Sequence, residues 1–216
     1  MKRLSCLILL GFVFLSARAQ PSAYSIPPQQ EYDTEFYLAE GVPLQTILEL
    51  AWSKRVRGYH DGALFYYQLA AQRYSQSYEA HNALAAYLYE RGHLEAAKQS
   101  YQHALNVAIS ASDQASARYF GEQIDKELRW GKAAVNAYDS GYANFAVGNY
   151  SLAINQLSEA LRTAPSWINA HYWLGRSYES SGDRASAIQE YNYVMNNDNP
   201  DSDLYKGARW QLMQMR

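Results

Sequence analysis

The stretch AHYWLGRSYESSGDRASAIQEYNYV, residues 170–194, decides the fold. It combines a histidine, a tryptophan, an arginine and several acids, so it raises the question of an active site. Gly182 divides it into two segments with helical spacing of large residues, and Ala187 and Tyr191 follow five and nine residues later. This spacing predicts two helices joined by a tight turn, where glycine supplies a positive φ and alanine allows a close helix approach.

The same pattern occurs four times along the chain. The matching segments are RGYHDGALFYYQLA (57–70), RGHLEAAKQSYQHA (91–104), VGNYSLAINQLSEA (147–160) and SGDRASAIQEYNYV (181–194). In each segment the second residue is a glycine, and an alanine follows five residues after it. A bulky residue comes four residues after the alanine, and a small residue three residues after the bulky one. The glycines Gly58 and Gly92, and likewise Gly148 and Gly182, are 34 residues apart, which indicates a structural repeat of that length.

With this period, the chain resembles the tetratricopeptide-repeat family. The last repeat is the most similar, with Trp173, Leu174, Gly175 and Tyr178 on its first helix. The resemblance implies an all-α fold, a right-handed helical-hairpin solenoid of about four tetratricopeptide repeats with an inserted helix and a C-terminal capping helix. We expect the repeats near residues 44–77, 78–111, 134–167 and 168–201.

Two further helices are expected within the repeat domain, which we place at residues 44–216. Gly92 and Gly148 are 56 residues apart, so the array is interrupted, and residues 113–130 are predicted to form a helix that is either a degenerate repeat or an insertion. Its expected apolar face comprises Tyr119, Phe120, Ile124 and Leu128. Residues 203–215 are predicted to cover the last hairpin, since terminal repeats need a cap. The expected covering residues are Trp210 and Leu212.

The N-terminal residues predict export. Residues 1–19 combine Lys2 and Arg3 with an apolar run and small residues before a cleavage site near Ala19/Gln20, as in a signal peptide. The run is too short for a permanent membrane anchor, so we expect a periplasmic or secreted protein with only indirect membrane association. The proline-rich residues 20–43 predict an extended leader or linker.

Cysteine and charge exclude several function classes. The single cysteine, Cys6, lies in the predicted signal peptide, so the mature chain is expected to have no disulfide and no thiol nucleophile. Cleavage would remove three of the 19 basic residues, leaving 16 against 21 acidic ones. This balance argues against a nucleic-acid partner.

The resemblance implies that a protein or peptide partner binds in a concave groove formed by the first helices. Positions ten, six and three residues before each turn glycine form a helical stripe that would face this groove. The candidate partner-binding residues are Trp52, Asn82, Tyr89, Tyr138, Tyr142, Phe145, Tyr172, Arg176 and Glu179. The alternative for the aromatic members is that they pack against the next helix.

No residue pattern predicts catalysis, a metal site or a cofactor. The histidines lack a metal-ligand spacing, and the GRS segment at residues 175–177 lies within a predicted helix and lacks the strand of a nucleophile elbow. We therefore expect a non-enzymatic interaction adaptor of the bacterial cell envelope. The alternative is a peptidoglycan- or carbohydrate-associated protein that stacks sugars on Trp52, Tyr138, Tyr142 and Tyr172. The sequence leaves the partner and the oligomeric state open.

Overall fold

The computed structural model describes residues 41–215, which contain ten α-helices and no strand. In chain order the helices are α1 (Leu44–Val56), α2 (His60–Arg73), α3 (Tyr78–Glu90), α4 (Leu94–Val107), α5 (Ala111–Trp130), α6 (Lys132–Ala146), α7 (Tyr150–Thr163), α8 (Ile168–Ser181), α9 (Arg184–Asn197) and α10 (Asp203–Gln214). The predicted signal peptide and most of the predicted leader lie outside the described residues. The proposed repeat boundaries remain predictions, and the helix pairs α1–α2, α3–α4, α6–α7 and α8–α9 are compatible with them.

The four helix pairs are hairpins, and each is closed by the same type of turn. Each first helix is followed by a glycine with positive φ, as the sequence predicts: Gly58 (80°), Gly92 (78°), Gly148 (82°) and Gly182 (89°). In the last turn the Asp183 N–H donates to the Tyr178 carbonyl at 2.9 Å and the Gly182 N–H donates to the Glu179 carbonyl at 3.1 Å. This is the Schellman arrangement, and the other three turns repeat it. A side chain at these positions would strain the backbone, since L-residues rarely adopt this φ.

The predicted repeat residues form the core of each hairpin. The alanines of the second helices are fully buried at Ala63, Ala97, Ala153 and Ala187. The bulky residues four positions later are no more than 5% exposed at Tyr67, Tyr101, Leu157 and Tyr191. A methyl group lets the paired helices approach closely, and the larger side chain fills the space that remains.

A second small residue on the first helix completes this contact. Gly141 and Gly175 each lie seven residues before a turn glycine, and the equivalent residues in the first two hairpins are Ala51 and Ala85, both fully buried. A Cβ built on Gly175 would lie 2.9 Å from Cε1 of Tyr191, closer than real Cβ atoms come. The bulky residue of the second helix therefore dictates how small its neighbour on the first helix must be.

Helix α5 interrupts the array. Ser110 caps its N-terminus by accepting a hydrogen bond from the Asp113 N–H at 3.0 Å, and Ile124 is fully buried in a cluster with Ala97 and Tyr101 of α4. The expected apolar face is wrong for the remaining members, because the structure leaves them exposed: Tyr119 (57%), Phe120 (41%) and Leu128 (38%). The reason is that α4 covers one side of α5, whereas α6 packs chiefly against α7 instead of covering the other.

Aromatic and cationic contacts connect the two pairs of hairpins across the break. Gly131, with φ of 83°, separates α5 from α6. Trp130, the last residue of α5, stacks on Trp167 before α8 with 5.3 Å between ring centroids. Lys132, the first residue of α6, places its Nζ 5.1 Å from the ring centroid of Tyr89 on α3. The junction is therefore a packed contact between the two halves of the described chain.

Helix α10 packs on the last hairpin through Leu212, as predicted, but not through Trp210. Ala208 is fully buried in a cluster with Tyr191 and Val194 of α9, and Leu212 is partly buried against the same cluster. Trp210, predicted to cover the hairpin, is instead 57% exposed. Positions 208 and 212 are one helical turn apart and share a face, whereas position 210 lies halfway between them and points to the opposite side.

Candidate functional site

Four side chains on the first helices α6 and α8 form a contiguous surface, which we call the aromatic patch: Tyr142, Phe145, Trp173 and Arg176. The Trp173 ring lies edge-on to Tyr142, with 4.7 Å between centroids, and 5.2 Å from Phe145. The guanidinium carbon of Arg176 lies 5.6 Å from the Phe145 centroid and 6.0 Å from that of Trp173, within the range of cation–π attraction. Tyr142 is 44% exposed, and the other three are partly exposed.

Helical spacing and the shared turn bring these four residues together. Tyr142 and Phe145 are three residues apart on α6, and Trp173 and Arg176 are three residues apart on α8, so each pair lies on one face of its helix. Both helices are the first helices of their hairpins, and each ends at a glycine turn of the same kind. The two pairs of residues therefore lie side by side. The patch therefore combines partly exposed ring surfaces with one cationic group.

A second surface is a cavity of about 200 Å³ between α3, α4, α5 and α6, which we call the junction pocket. Its aromatic walls are Tyr101, Tyr119 and Phe120, and its polar walls include Tyr89, Glu127 and Asp139. Tyr101 and Phe120 stack with 5.3 Å between centroids. The pocket occurs where α5 interrupts the array of hairpins, so the repeat pattern does not predict it.

The junction pocket contains a buried carboxylate. The Tyr89 hydroxyl donates a hydrogen bond to Glu127 Oε1, and Glu127 is only 5% exposed. The other oxygen, Oε2, is buried without a hydrogen-bond partner among the described residues. Burial, together with the hydrogen bond to Glu127, raises the pKa of Tyr89 to about 12. Burial also raises the pKa of the Asp139 carboxyl, an effect that Lys126 opposes and the charge of Glu127 reinforces.

The repeated geometry decides the fold of the chain. Four hairpins share the same glycine turn, the same buried alanine and the same contact between a small and a bulky residue, with 34 residues between equivalent positions within each pair of hairpins. The described chain has the tetratricopeptide-repeat fold. In tetratricopeptide solenoids the stacked hairpins create an extended concave surface, which is where the sequence placed the candidate residues.

Solved structures with tetratricopeptide architecture resemble this chain at low identity. A MamA protein has 20% identity and a TM-score of 0.36, and the match covers 73% of this chain and 92% of that one. TTC0263, a thermophilic tetratricopeptide protein of Thermus thermophilus, has 18% identity and a TM-score of 0.37 over 79% of this chain and 100% of that one. YrrB, a tetratricopeptide protein with an unusual peptide-binding site, has 16% identity and a TM-score of 0.34 over 78% and 92%. The likeness concerns the fold alone.

The other comparisons gave no match, either to a protein-family model or to a curated protein.

Three of the predicted groove residues have packing partners in the tetratricopeptide domain. Tyr138 stacks on Trp167 with 4.4 Å between centroids, and burial raises its pKa to about 12. Tyr172 packs against α10, where its hydroxyl oxygen would lie only 2.8 Å from a Cβ built on Gly207. Glu179 accepts a hydrogen bond from the buried Tyr191 hydroxyl at 2.7 Å. These contacts cover part of the surface of Tyr138 and Tyr172, which are both only partly exposed.

The predicted groove residues of the first two hairpins do not join the aromatic patch. Trp52 on α1 is 58% exposed, and Asn82 on α3 is half-buried, with its Oδ1 buried and without a hydrogen-bond partner among the described residues. Tyr89 faces the junction pocket. The nine candidates thus separate into the aromatic patch, the junction pocket, residues that pack within the fold, and these two residues on α1 and α3.

The two surfaces also contain residues that the sequence analysis did not name as candidates, among them Trp173 and Glu127. Trp173 is one of the residues that carry the resemblance to the repeat family, and its ring contributes to the aromatic patch. Glu127 lies outside the apolar face expected for α5. A signal for it exists, because Phe120, Ile124 and Glu127 have the i, i+4, i+7 spacing of one helix face.

His171 has packing and hydrogen-bond partners within the described chain. His171 contacts Glu190 Oε2 at 2.6 Å and the Pro165 carbonyl at 2.9 Å, and its ring stacks on Tyr193 with 3.6 Å between centroids. No group of three or more potential metal-ligating side chains occurs within residues 41–215. Over the same residues, no helix combines the length and apolar character needed to cross a membrane.

Proposed function

We propose that this protein is a non-enzymatic interaction scaffold that binds an extended segment of a partner protein on the aromatic patch. The observation that carries the proposal is the contiguous set of partly exposed rings on two neighbouring first helices, with Tyr142 and Trp173 edge-on and Arg176 over the adjacent rings. Tyrosine and tryptophan supply large contact areas at a low entropic cost, which suits recognition of a peptide.

The partner segment is extended and carries proline or other apolar side chains. Aromatic grooves bind proline-rich segments because the ligand is already extended and loses little entropy on binding. Arg176 Nε lies 3.7 Å from Glu179 Oε2, so an intramolecular acid partly balances its charge. The patch therefore favours ring stacking and apolar contact over the binding of a strongly acidic peptide.

The place of action in this proposal is the bacterial cell envelope. It rests on the predicted signal peptide at residues 1–19, which lies outside the described residues. Deletion of residues 2–19 is expected to retain the protein in the cytoplasm, whereas the full chain appears in the periplasm or medium with its new N-terminus near Gln20. Equal distribution of both forms in a cell fractionation would contradict export by this segment.

A pair of tyrosine substitutions tests the binding surface. The purified protein is immobilised, incubated with envelope extract from the native host, and its retained proteins are quantified by mass spectrometry. Tyr142→Ala removes an exposed ring of the patch, whereas Tyr59→Ala removes a tyrosine that is 57% exposed before α2. A specific partner is expected to be lost with Tyr142→Ala and retained with Tyr59→Ala. Equal retention by both variants would refute the patch as the binding surface.

A further inference from the structure

The second helix of the first hairpin carries a phenylalanine on its outer side. Phe65 lies two residues from both Ala63 and Tyr67, which belong to the hairpin core, so its side chain points to the opposite side of α2. In the other three hairpins the equivalent position, seven residues after the turn glycine, is polar and exposed: Gln99, Asn155 and Gln189. Phe65 is nevertheless only 8% exposed.

The next residue extends this apolar surface. Tyr66 is 1% exposed, and its ring meets that of Phe65 edge-on with 5.4 Å between centroids. Helix α2 packs against α1 and α3, and the second helices of the later hairpins leave the position of Phe65 open despite their own neighbours. An aromatic ring loses its solvent contact only where other atoms cover it. The first hairpin therefore has a covering element that the other hairpins lack.

The chain enters the described domain beside this surface. The Tyr74 hydroxyl, at the C-terminal end of α2, donates a hydrogen bond to the Val42 carbonyl at 2.6 Å. Phe65 lies nine residues before Tyr74, or about 14 Å along the helix axis. An extended chain spans that distance with roughly four or five residues, and a helical one with about nine. The ten residues that precede Gly41 are therefore long enough to reach Phe65 in either conformation.

The composition of these ten residues suits the outer side of α2. Residues 31–40 read EYDTEFYLAE and contain no basic residue. Their large apolar side chains are Tyr32, Phe36, Tyr37 and Leu38, and their acids are Glu31, Asp33, Glu35 and Glu40. Arg73 in the last turn of α2 lies seven residues after Tyr66, on the same face of the helix. The segment thus complements the surface in both apolar character and charge.

We propose that residues 31–40 dock on the outer side of α2 in their own chain, where their apolar side chains cover Phe65 and Tyr66 and their acids lie toward Arg73. The docked segment is part of the folded domain, and only the residues before it form a leader. Docking on α2 leaves the first-helix surface around Trp52, and also the aromatic patch, open to a partner. The inference does not depend on the proposed function, since it concerns contacts within one chain.

The first test is hydrogen exchange measured by mass spectrometry on residues 20–216. Amides of residues 31–40 are expected to exchange at least roughly tenfold more slowly than in a synthetic peptide of the same sequence. Phe65→Gln introduces the residue type found at two of the equivalent positions and should return them to the rates of the peptide. Leu152→Gln, at an apolar side chain of α7 that is 52% exposed, should leave their exchange unchanged.

Two results would overturn the proposal. One is exchange of residues 31–40 at the rates of the free peptide in the wild type. The other is unchanged protection of these residues in Phe65→Gln. Exchange of α8 and α9 in the same samples shows whether each variant keeps its fold, so a general loss of structure is distinguished from release of the segment.

Disulfide trapping tests the location without disturbing the apolar contacts. Cys6 is the only cysteine of the sequence, so residues 20–216 contain none. Ala39→Cys is combined with Gln72→Cys, an exposed position seven residues after Phe65 on the same face of α2. The control combines it with Glu49→Cys, an exposed position on α1. Both second positions lie within two helical turns of the point where the chain enters the domain.

The Ala39–Gln72 pair is expected to oxidise at least roughly tenfold faster than the control pair, and to give an intramolecular product. Equal rates, or faster oxidation of the control pair, would place the segment away from the outer side of α2 and refute the proposal. A dimeric product in place of the intramolecular one would assign the surface to the segment of a second copy, and would equally refute docking within one chain.

Discussion

Gly141 on α6 lies so close to Leu157 on α7 that a single added methyl group is expected to separate the two helices. A Cβ built on Gly141 would lie 2.7 Å from Leu157 Cγ and 3.1 Å from the Leu157 backbone nitrogen. Leu157 is fully buried, so its side chain cannot avoid the added methyl group by turning into solvent. The variant Gly141→Ala therefore tests whether this contact sets the spacing of the hairpin.

Two opposing effects determine the magnitude. Replacing glycine by alanine within a helix stabilises it by up to about 1 kcal/mol, because alanine loses less backbone entropy on folding. Overpacking a filled core costs about 1–3 kcal/mol. The clash at Gly141 involves backbone as well as side-chain atoms, which favours the upper part of that range, so the net destabilisation is expected to be about 1–2 kcal/mol.

Gly121 supplies a matched control for the helix-propensity effect. It lies within α5, and a Cβ built there meets no atom within 4 Å, so Gly121→Ala is expected to stabilise the protein by about 0.5–1 kcal/mol. Urea unfolding followed by far-UV circular dichroism measures both variants against the wild type. The two substitutions should shift the unfolding midpoint in opposite directions.

A double-mutant cycle identifies the cause of the loss. Leu157→Ala removes Cγ, the atom closest to the added methyl group, so Gly141→Ala should destabilise the protein less in that background, with a coupling of about 1 kcal/mol. Stabilisation by Gly141→Ala similar to that of Gly121→Ala would show that the hairpin adjusts without cost. An additive double mutant would show that the Leu157 side chain is not the opposing group.

The remaining predictions concern tyrosines. Tyr89→Phe leaves Glu127 Oε1 without its donor and should destabilise the protein by about 1–3 kcal/mol in urea unfolding. Tyr119→Phe, at an exposed ring, should change the stability by less than about 0.5 kcal/mol. Similar small effects of both substitutions would show that the hydrogen bond is dispensable. Tyr101 and Tyr138 have pKa values of about 12 against an ordinary 10.0, mainly through burial. Their contribution to stability is therefore full below about pH 10 and is lost as the pH rises through about 12. In an absorbance titration, Tyr101→Phe should remove a phenol from the fraction ionising near pH 12, and loss from the fraction ionising near pH 10 would contradict this assignment.

The repeat pattern predicted the hairpins because their requirements are local. A glycine at position 182 ends α8 through its own backbone conformation, and Ala187 and Tyr191 follow on one face of α9 whatever lies beyond the hairpin. The same argument correctly placed the turns at Gly58, Gly92 and Gly148. Single-residue backbone preferences and helical spacing can be inferred from the order of the residues alone.

The exposure of individual rings could not be inferred in this way. Tyr138 and Tyr142 lie one turn apart on α6 and have the same residue type, yet Tyr138 stacks on Trp167 and Tyr142 is 44% exposed. The difference depends on a tryptophan 29 positions further along the chain than Tyr138, brought there by the turn between α7 and α8. Trp210 was misplaced for a similar reason, because the rotation of α10 follows from its contacts with α9.

The sequence by itself determined the repeated unit of this protein: its turns, its small and bulky core positions, and the helical fold that they produce. Only the tertiary structure decided what surface forms where the repeat is interrupted. Helix α5 packs against α4 and lines a pocket together with α3, α4 and α6, where Glu127 is buried beside aromatic residues. The physical reason is that burial of a helix face depends on which neighbours cover it, and those neighbours are set by the packing of distant segments.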